Sequence, residues 1–248
     1  MSNKYACIII PCYNESKRID AAGIKRFAEN NSSFHFLFVN DCSTDNTLQI
    51  LKEIQQQTKT DTIEVLSNKI NMGKAETIRN GVLHIGDKNM FSFICFWDAD
   101  FSTPLEEIDW FMFFFNQYKS KKIFIGSRCK RMGAVIERKT YRQLFGRVFA
   151  TVVSNMLRLP VYDTQCGAKF FTHEVAMQLF DKNFVSRWFF DVELLMRYKK
   201  MFGSEAALQD ICEVPLRTWV HKNGSKLKLS DFVKVPFQLI KIYNAYRD

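Results

Sequence analysis

The segment Phe96-Trp97-Asp98-Ala99-Asp100-Phe101-Ser102-Thr103-Pro104 joins a strand pattern to a helix start through two carboxylates. The apolar run 91–97 predicts a buried strand, and Thr103 predicts the N-cap of a following helix. Asp98 and Asp100 are therefore expected at the carboxyl end of a strand, where open α/β sheets hold their ligands. Two carboxylates on such a turn suit a hard divalent cation, Mg2+ or Mn2+, although a solvated acidic turn explains the same short motif.

The composition is that of a globular chain with an excess of positive charge. It has 248 residues, of which 47% are hydrophobic, enough for one large α/β domain or two small ones. The formal net charge of +9 fits a nucleic acid, an anionic membrane surface or a phosphorylated substrate as partner. The seven cysteines form no CxxC pair, which argues against a disulfide framework and a zinc site. Reduced thiols fit a cytoplasmic protein, and we expect neither a signal peptide nor a membrane span, because no leader and no run of about 18 apolar residues is evident.

Strand and helix patterns alternate along the first hundred residues. β-Branched and aromatic runs at 5–10, 34–39, 63–66 and 91–97 predict βαβ units and a mainly parallel central sheet flanked by helices. Polar side chains follow three of these runs, namely Asn14 and Glu15, then Asp41, then Asp98 and Asp100. Since the carboxyl ends of parallel strands share one edge of a sheet, these groups predict a pocket for a nucleotide and a metal. The absence of GxGxxG and GxxxxGK[ST] motifs argues against a dinucleotide fold and a P-loop.

The second half of the chain shows further elements of both kinds. The patterns predict a helix over 110–118, a strand over 122–126, a long helical stretch over 132–159 and a late strand over 211–216. We see no linker between them. The domain organisation predicted is a single α/β domain over residues 1–230 and an amphipathic C-terminal tail over residues 231–248.

Basic residues are concentrated between Lys119 and Arg147, where ten stand against one acidic residue. An RNA-binding surface would interleave exposed aromatic residues with them, and only Tyr141 and Phe145 do so between Arg128 and Arg147. A solvated helix face is a second explanation. With the apolar tail, the stretch favours a patch at an anionic membrane surface, where each Lys or Arg contributes on the order of 1 kcal/mol. We therefore predict no nucleic-acid partner and peripheral association with the inner face of the membrane.

Seven motifs, in order, resemble glycosyltransferase family 2. They are Pro11-Cys12-Tyr13-Asn14-Glu15, Val39 to Thr47, Asn71-Met72-Gly73-Lys74, Asp98-Ala99-Asp100, Gly126-Ser127-Arg128, Asp163 to Lys169 and Phe190 to Leu195. The last two resemble the dolichyl-phosphate β-glucosyltransferase branch, whose relatives transfer mannose or glucose to polyprenyl phosphates. The resemblance covers residues 8–228 and implies a GT-A, Rossmann-like single domain that uses a nucleotide-diphospho-sugar and a divalent metal.

The resemblance also implies roles for individual residues. The residues that match the family's nucleotide-sugar site are Pro11, Tyr13, Asn14, Glu15, Asp41, Gly73, Lys74 and Asp98. Asp98 and Asp100 match its metal-binding pair, with Asp100 as the direct ligand. Arg128 matches a basic residue near the diphosphate. The residues that fall on the acceptor side are Asp163, Gln165 and Asp191.

The activity implied is an inverting, metal-dependent transfer of a hexose, glucose from UDP-glucose, to a polyprenyl phosphate of the dolichyl or undecaprenyl type. Such an acceptor is already an anion and needs no strong general base, whereas an acceptor hydroxyl would need one, for which Asp191 is the candidate. Asp191 is equally explained as a cap or first-turn acid of a helix. Transfer to a sugar hydroxyl in polysaccharide or glycolipid synthesis, and nucleotidyl transfer, stay open as alternatives.

Overall fold

The computed structural model describes residues 4–86, 88, 90–138, 140–222 and 235–247, and for residues 4, 140–142, 144 and 145 the backbone only. The chain divides into two compact units, one of Met1–Phe101 with Gly167–Asn183 and one of Ser102–Cys166 with Phe184–Asp248.

Strands and helices alternate along most of the chain. In order they are β1 (Lys4–Cys12), α1 (Ala21–Asn30), β2 (Phe34–Asn40), α2 (Thr47–Gln57), β3 (Ile63–Ser67), α3 (Lys74–Gly86), β4 (Phe91–Trp97), α4 (Glu107–Gln117), β5 (Ile123–Ser127), β6 (Val135–Glu137), α5 (Thr140–Leu157), β7 (Ala168–Thr172), α6 (His173–Leu179), α7 (Phe190–Asp210), β8 (Ile211–Pro215), β9 (Thr218–Val220) and α8 (Val235–Tyr246).

The first unit holds five strands in the order β3-β2-β1-β4-β7. Strands β1 to β4 run parallel, and β7 runs antiparallel to β4. Strand β2 is buried along its whole length, as expected of a parallel strand covered on both faces. Helix α3 packs on β1 and β2, and α6 packs on β4. The predicted α/β class with a mainly parallel sheet is confirmed, and the loops after β1, β2, β3 and β4 leave from one edge.

The second unit pairs β5 with β8 and β6 with β9, both in parallel. Helix α7 packs against α5 and α8. The Glu193 carboxylate of α7, which is 0% exposed, accepts hydrogen bonds from Arg197 Nη2 at 2.7 Å and from Tyr246 Oη at 2.8 Å. It also accepts from the backbone N–H groups of Val185 and Ser186. This network ties α8 to the loop that precedes α7.

Two predictions of local structure are wrong. Helix α4 begins at Glu107, beyond the predicted N-cap Thr103, because the chain first makes a turn in which Glu107 N donates to Pro104 O at 3.1 Å. The long helical stretch predicted over 132–159 is divided between β6 and α5. Residues 135–137 form a strand because they pair with β9, about eighty residues later in the chain. Local periodicity carries no information about so distant a partner.

The predicted C-terminal tail contains helix α8, while residues 231–234 and 248 lie outside the described part of the chain. Leu239 and Ile242 of this helix are buried, whereas Phe237 is 70% and Ile240 56% exposed. Apolar residues therefore lie on the outer face of α8 as well as on its inner face. None of the helices within the described ranges combines the length and the hydropathy that a membrane span requires.

Glu64 on β3 is the centre of a charged cluster in the first unit. Its carboxylate lies 2.5 Å from His84 Nε2 and 3.3 Å from His35 Nε2, and accepts a hydrogen bond from Lys88 Nζ at 3.2 Å. Burial raises the pKa of Glu64, but the His84 and Lys88 contacts outweigh burial and lower this pKa from 4.5 to about 2.

We expect the ionised Glu64 to stabilise the fold above pH 4.5, and this contribution to be lost as the pH falls toward 2, because the unfolded carboxyl takes up its proton first. Glu64→Gln should lower the free energy of unfolding by about 1 kcal/mol at pH 7, since a partly exposed cluster is screened by solvent. Urea denaturation at several pH values measures this difference, with Glu53→Gln on the exposed face of α2 as control. A difference that stays constant from pH 7 to pH 3 would contradict the prediction.

Candidate active site

Asp98 and Asp100 lie on a tight turn directly after β4. Phe101 N donates to Asp98 O at 3.1 Å, and Phe101 adopts a positive φ of 48° to close the turn. Asp98 N donates to Gly167 O at 2.9 Å, which ties the turn to the residue before β7. Both carboxylates therefore follow the carboxyl end of a central strand, at the position that the sequence predicts.

Gly167 makes room for the Asp98 carboxylate. A Cβ on Gly167 would overlap Oδ2 and Cγ of Asp98, far inside van der Waals contact. Any side chain at this position must displace the carboxylate. Sequence reasoning did not single out Gly167 as a site residue, and its only signal was its place in the motif 163–169.

We expect Gly167→Ala to lower transfer activity at least about tenfold, because the added Cβ displaces the Asp98 carboxylate by about 1 Å or more and misplacement of a positioned group on that scale is costly in catalysis. Gly86→Ala is the matched control, since its Cβ would meet only the flexible end of Met177. Initial rates and thermal midpoints of both variants make the comparison. Equal activity of the two variants would show that the Asp98 carboxylate needs no such space.

Lys74 is the partner of Asp98 in the first unit. It is the first residue of α3, and its Nζ lies 2.5 Å from Asp98 Oδ1. Both side chains are about two-fifths exposed, at 39% and 38%. Two predicted nucleotide-site residues are therefore in direct contact, and the ammonium group lies on the side of the turn where the sequence predicts a cation.

Asp41 organises the loop that carries Lys74. Its Oδ1 accepts from Met72 N at 2.8 Å and Asn68 Nδ2 at 3.0 Å, and its Oδ2 accepts from Gly73 N at 2.9 Å. Asp41 is 3% exposed, and Gly73 adopts a positive φ of 81° that glycine tolerates best. The carboxylate thus holds the β3–α3 loop in shape, in addition to the predicted base contact, which stays a prediction.

The loop after β1 carries the other predicted nucleotide-site residues. Pro11 pairs with Val39 at the end of β1. Asn14 adopts a positive φ of 50°, and its Oδ1 accepts from Thr44 N at 2.8 Å. Glu15 N donates to Thr47 Oγ1 at 2.8 Å. The β1–α1 loop and the β2–α2 loop are therefore bonded to each other.

Tyr13 and Glu15 complete this loop. Tyr13 is partly exposed and Glu15 is buried, with the Glu15 carboxylate paired to Arg18. Their predicted contacts with base and ribose stay predictions. The structure shows that the loops after β1, β2 and β3 form one hydrogen-bonded rim next to the Asp98 turn. Asp41 N donates to Cys12 O at 2.8 Å, and Asn68 N donates to Asn40 O at 2.9 Å.

The chemistry of this rim fits a hard divalent cation. Asp98 and Asp100 offer carboxylate oxygens of the kind that Mg2+ and Mn2+ take, and the Lys74 ammonium beside Asp98 shows that a cation is accommodated there. Within the described ranges, no group of three His, Cys, Asp or Glu side chains is placed to hold a metal. An ion at the Asp98 turn would therefore complete its coordination with water and with oxygens of a bound ligand.

In the second unit, Arg128 and Asp163 form a buried ion pair. The Asp163 carboxylate accepts from Arg128 N at 3.0 Å, Nε at 2.7 Å and Nη2 at 2.8 Å. Burial raises the pKa of Asp163, but the Arg128 guanidinium outweighs it and holds this pKa below its ordinary value. Glu213 of β8 fixes the backbone beside the pair, since its carboxylate accepts from Tyr162 N at 2.9 Å and Asp163 N at 2.8 Å.

A second arginine, Arg138, lies close to this pair. Its Nη2 lies 2.8 Å from the place that a Cβ of Gly146 on α5 would take. Burial and the positive charge of Arg128 both lower the pKa of Arg138, whereas Asp163 raises it. Two guanidinium groups, of Arg128 and Arg138, thus lie near the Asp163 carboxylate, with the Glu213 carboxylate beside them, and the like charges of the two arginines repel each other. Sequence reasoning placed Arg138 in a basic surface stretch and missed its place in this cluster.

Thr164 and Gln165, the two residues after Asp163, carry further polar atoms in the second unit. Gln165 N donates to Asp163 Oδ1 at 3.2 Å. Thr164 Oγ1 and Gln165 Nε2 are buried and have no hydrogen-bond partner among the described residues. Since buried polar groups are almost always hydrogen-bonded, these two atoms lack a partner that their burial leads one to expect. Gln165 was expected on the acceptor side from sequence, and Thr164 was not.

Asp191 lies in the first turn of α7 and is buried. The N-cap of α7 is Phe189, whose carbonyl accepts from Val192 N and Glu193 N at 3.0 Å each. Asp191 is therefore not the cap itself. The explanation as a first-turn acid and the role as a general base both stay open.

Comparison with known proteins gives three findings. The Glycosyl transferase family 2 profile matches residues 7–180. Dolichyl-phosphate beta-glucosyltransferase ALG5C of Trichomonas vaginalis is 32% identical over 99% of this chain and 73% of its own length. The dolichyl-phosphate beta-glucosyltransferase of Saccharomyces cerevisiae is 29% identical over 98% of this chain and 75% of its own length.

A solved structure has a similar fold. It is glucosyl-3-phosphoglycerate synthase from Mycobacterium tuberculosis in complex with Mn2+, UDP and glucosyl-3-phosphoglycerate, with a TM-score of 0.69 and 16% identity over 98% of this chain and 80% of that chain. At this identity the likeness concerns the fold, and it confirms the predicted GT-A fold.

Proposed function

Because this chain belongs to glycosyltransferase family 2, we propose that it transfers glucose from UDP-glucose to a polyprenyl phosphate of the dolichyl or undecaprenyl type, with inversion and with a bound divalent ion. That it is a hexosyltransferase follows from its relatives. The names of those relatives support glucose and a dolichyl phosphate, and the matched structure with Mn2+ and UDP supports the metal and the nucleotide.

The observation that carries the acceptor assignment is that the guanidinium groups of Arg128 and Arg138 both act on the Asp163 carboxylate. A phosphate monoester brings about two negative charges and three acceptor oxygens, which complement two guanidinium groups. The neighbouring Thr164 hydroxyl and Gln165 amide offer further donors. We assign this cluster of the second unit to the acceptor phosphate, where sequence resemblance had placed Arg128 near the donor diphosphate.

The donor is assigned to the rim of the first unit. When bound, a divalent ion at Asp98 and Asp100 would neutralise negative charge on the leaving diphosphate. Lys74 supplies a positive charge at the same place without any ion. The Asp41-held loop and the bonded β1–α1 and β2–α2 loops keep these groups in position, so little reorganisation is needed as charge develops.

The transfer itself is a single displacement. An oxygen of the acceptor phosphate forms a bond to the anomeric carbon of glucose while the bond from that carbon to the diphosphate oxygen breaks. UDP leaves with the electron pair, and the configuration at the anomeric carbon inverts. Because the attacking oxygen is already anionic, no side chain must remove a proton, and Asp191 is left without a role as base.

A membrane surface is the place where such an acceptor is found. On α8, Phe237, Ile240 and Tyr243 are exposed apolar or aromatic residues, and Arg147 on α5 is exposed and basic. Side chains of this kind favour binding at the interface of an anionic bilayer. The basic residues Lys139 and Arg142 of the predicted patch lie outside the described side chains. We propose peripheral association with the cytoplasmic face of a membrane.

A transfer assay tests the proposal. Purified protein is mixed with Mg2+ or Mn2+, a short polyprenyl phosphate, and UDP-glucose, UDP-galactose, UDP-N-acetylglucosamine or GDP-mannose in turn, with EDTA as the metal-free control. The expected result is metal-dependent formation of a lipid-phospho-glucose from UDP-glucose. Asp191→Asn should then retain most of the activity.

Two outcomes of this assay would change the proposed acceptor or the proposed group that is transferred. Slow metal-dependent hydrolysis of the donor without a lipid product would leave a glycosyltransferase whose acceptor carries a hydroxyl, and a large loss in Asp191→Asn would make Asp191 its base. Transfer of the nucleotidyl group in place of the sugar would replace the proposal with nucleotidyl transfer.

A further inference from the structure

The Lys74–Asp98 pair is positioned from the backbone on both sides. Lys74 begins α3 directly after the loop that Asp41 holds through Met72 N and Gly73 N. Asp98 is held by its N–H to Gly167 O, and its carboxylate fills the space that Gly167 leaves. The contact between Nζ and Oδ1 is therefore a feature of the fold and not a chance meeting of two surface side chains.

The ion pair between Lys74 and Asp98 can nevertheless be broken at a small cost in free energy. Both side chains are about two-fifths exposed, and ion pairs of this exposure change an equilibrium by about fivefold at most. A nucleoside diphosphate carries more negative charge than one carboxylate, and Lys74 can rotate toward it from a fixed Cα. Asp98 would then be released at the moment when the diphosphate brings further ligands for a divalent ion.

We propose that Lys74 is the resident cation of Asp98 in the donor-free protein and that it competes there with the divalent ion. The protein accordingly binds the ion weakly when alone and tightly together with the nucleotide. Lys74 passes from Asp98 to the diphosphate, so that one side chain both blocks the empty site and neutralises the bound donor. This inference rests on the proposed function, because it presumes a divalent ion at the Asp98 turn.

The test measures Mn2+ binding by electron paramagnetic resonance, with and without UDP, in the full chain. Lys74→Met should bind Mn2+ up to about fivefold more tightly than the wild type when UDP is absent. In the presence of Mn2+, the same variant should bind UDP several-fold more weakly. Lys69→Met is the matched control, because it removes an equal charge from the exposed part of the same loop and should change neither affinity.

A double variant separates direct competition from a general field effect. If Lys74 competes for the Asp98 carboxylate, the gain in Mn2+ affinity should disappear when Lys74→Met is made in an Asp98→Asn background. A gain that persists there, or no gain in Lys74→Met alone, would overturn the proposal. Circular dichroism melting curves confirm that each variant is folded before its affinity is compared.

The failure of this inference can be told apart from failure of the proposed function. If Asp100→Ala abolishes Mn2+ binding while Lys74→Met leaves it unchanged, the metal site stands and the competition is wrong. If the wild type binds no Mn2+ even with UDP, the metal dependence in the proposed function is itself wrong, and the inference falls with it.

Discussion

Asp100→Ala is expected to lower metal-dependent transfer on the order of 1,000-fold. The reason is that Asp100 is the carboxylate of the turn proposed to bind the ion directly, so that its loss removes a ligand of the ion beside the leaving diphosphate. Loss of a group that stabilises the charge developing on a leaving group costs roughly 10²–10³ in rate, and a lost metal ligand adds to this. Initial rates at saturating UDP-glucose and polyprenyl phosphate, together with Mn2+ binding, measure the effect.

The matched control is Asp109→Ala. Asp109 is an exposed acidic residue in the first turn of α4, and its removal takes away the same charge. This control should keep nearly full activity and the same Mn2+ affinity. Near-normal transfer by Asp100→Ala would show that Asp100 has no part in the reaction. Equal losses of activity in both variants would show that the loss comes from the change in the net charge of the protein.

Arg138→Met is expected to lower kcat/KM for the polyprenyl phosphate on the order of 100-fold, equal to ~3 kcal/mol, while UDP binding is unchanged. A hydrogen bond between a guanidinium and a phosphate is of this strength when it is partly desolvated. Arg138 is the informative arginine, because Arg128 is bonded to Asp163 through three donors. Removal of the Arg128 side chain would take two hydrogen bonds from a buried carboxylate and endanger the fold itself.

The control for Arg138 is Arg26→Met, an exposed arginine on α1 of the first unit. Rates measured over a range of polyprenyl phosphate concentrations separate KM from kcat, and isothermal titration with UDP reports on the donor site. An unchanged kcat/KM in Arg138→Met would remove the acceptor phosphate from this cluster. A fall in UDP affinity would instead assign the cluster to the donor diphosphate, as the sequence resemblance implied for Arg128.

The donor side could be predicted from sequence because its signals are local. A strand pattern followed by polar residues fixes where Asp41 and Asp98 lie along the chain, and the rule that parallel strands end at one edge brings them together. What Asp41 does there was not predictable. Its carboxylate accepts hydrogen bonds from the backbone N–H groups of Met72 and Gly73, about thirty residues later. Because every residue except proline has such a group, the sequence does not indicate which of them Asp41 will bind.

The α/β class, the family and the position of the Asp98-Ala99-Asp100 turn could all be predicted from the sequence, because they depend on periodicity and on short motifs. Tertiary structure alone decided which side chains meet: Lys74 with Asp98, Gly167 beneath the Asp98 carboxylate, and Arg128 with Asp163. It also decided that part of the stretch 132–159 is a strand, since its partner β9 comes from a distant part of the chain. The physical reason is the same in each case: the energy of these contacts belongs to pairs of residues far apart in sequence, and local patterns carry information only about neighbours.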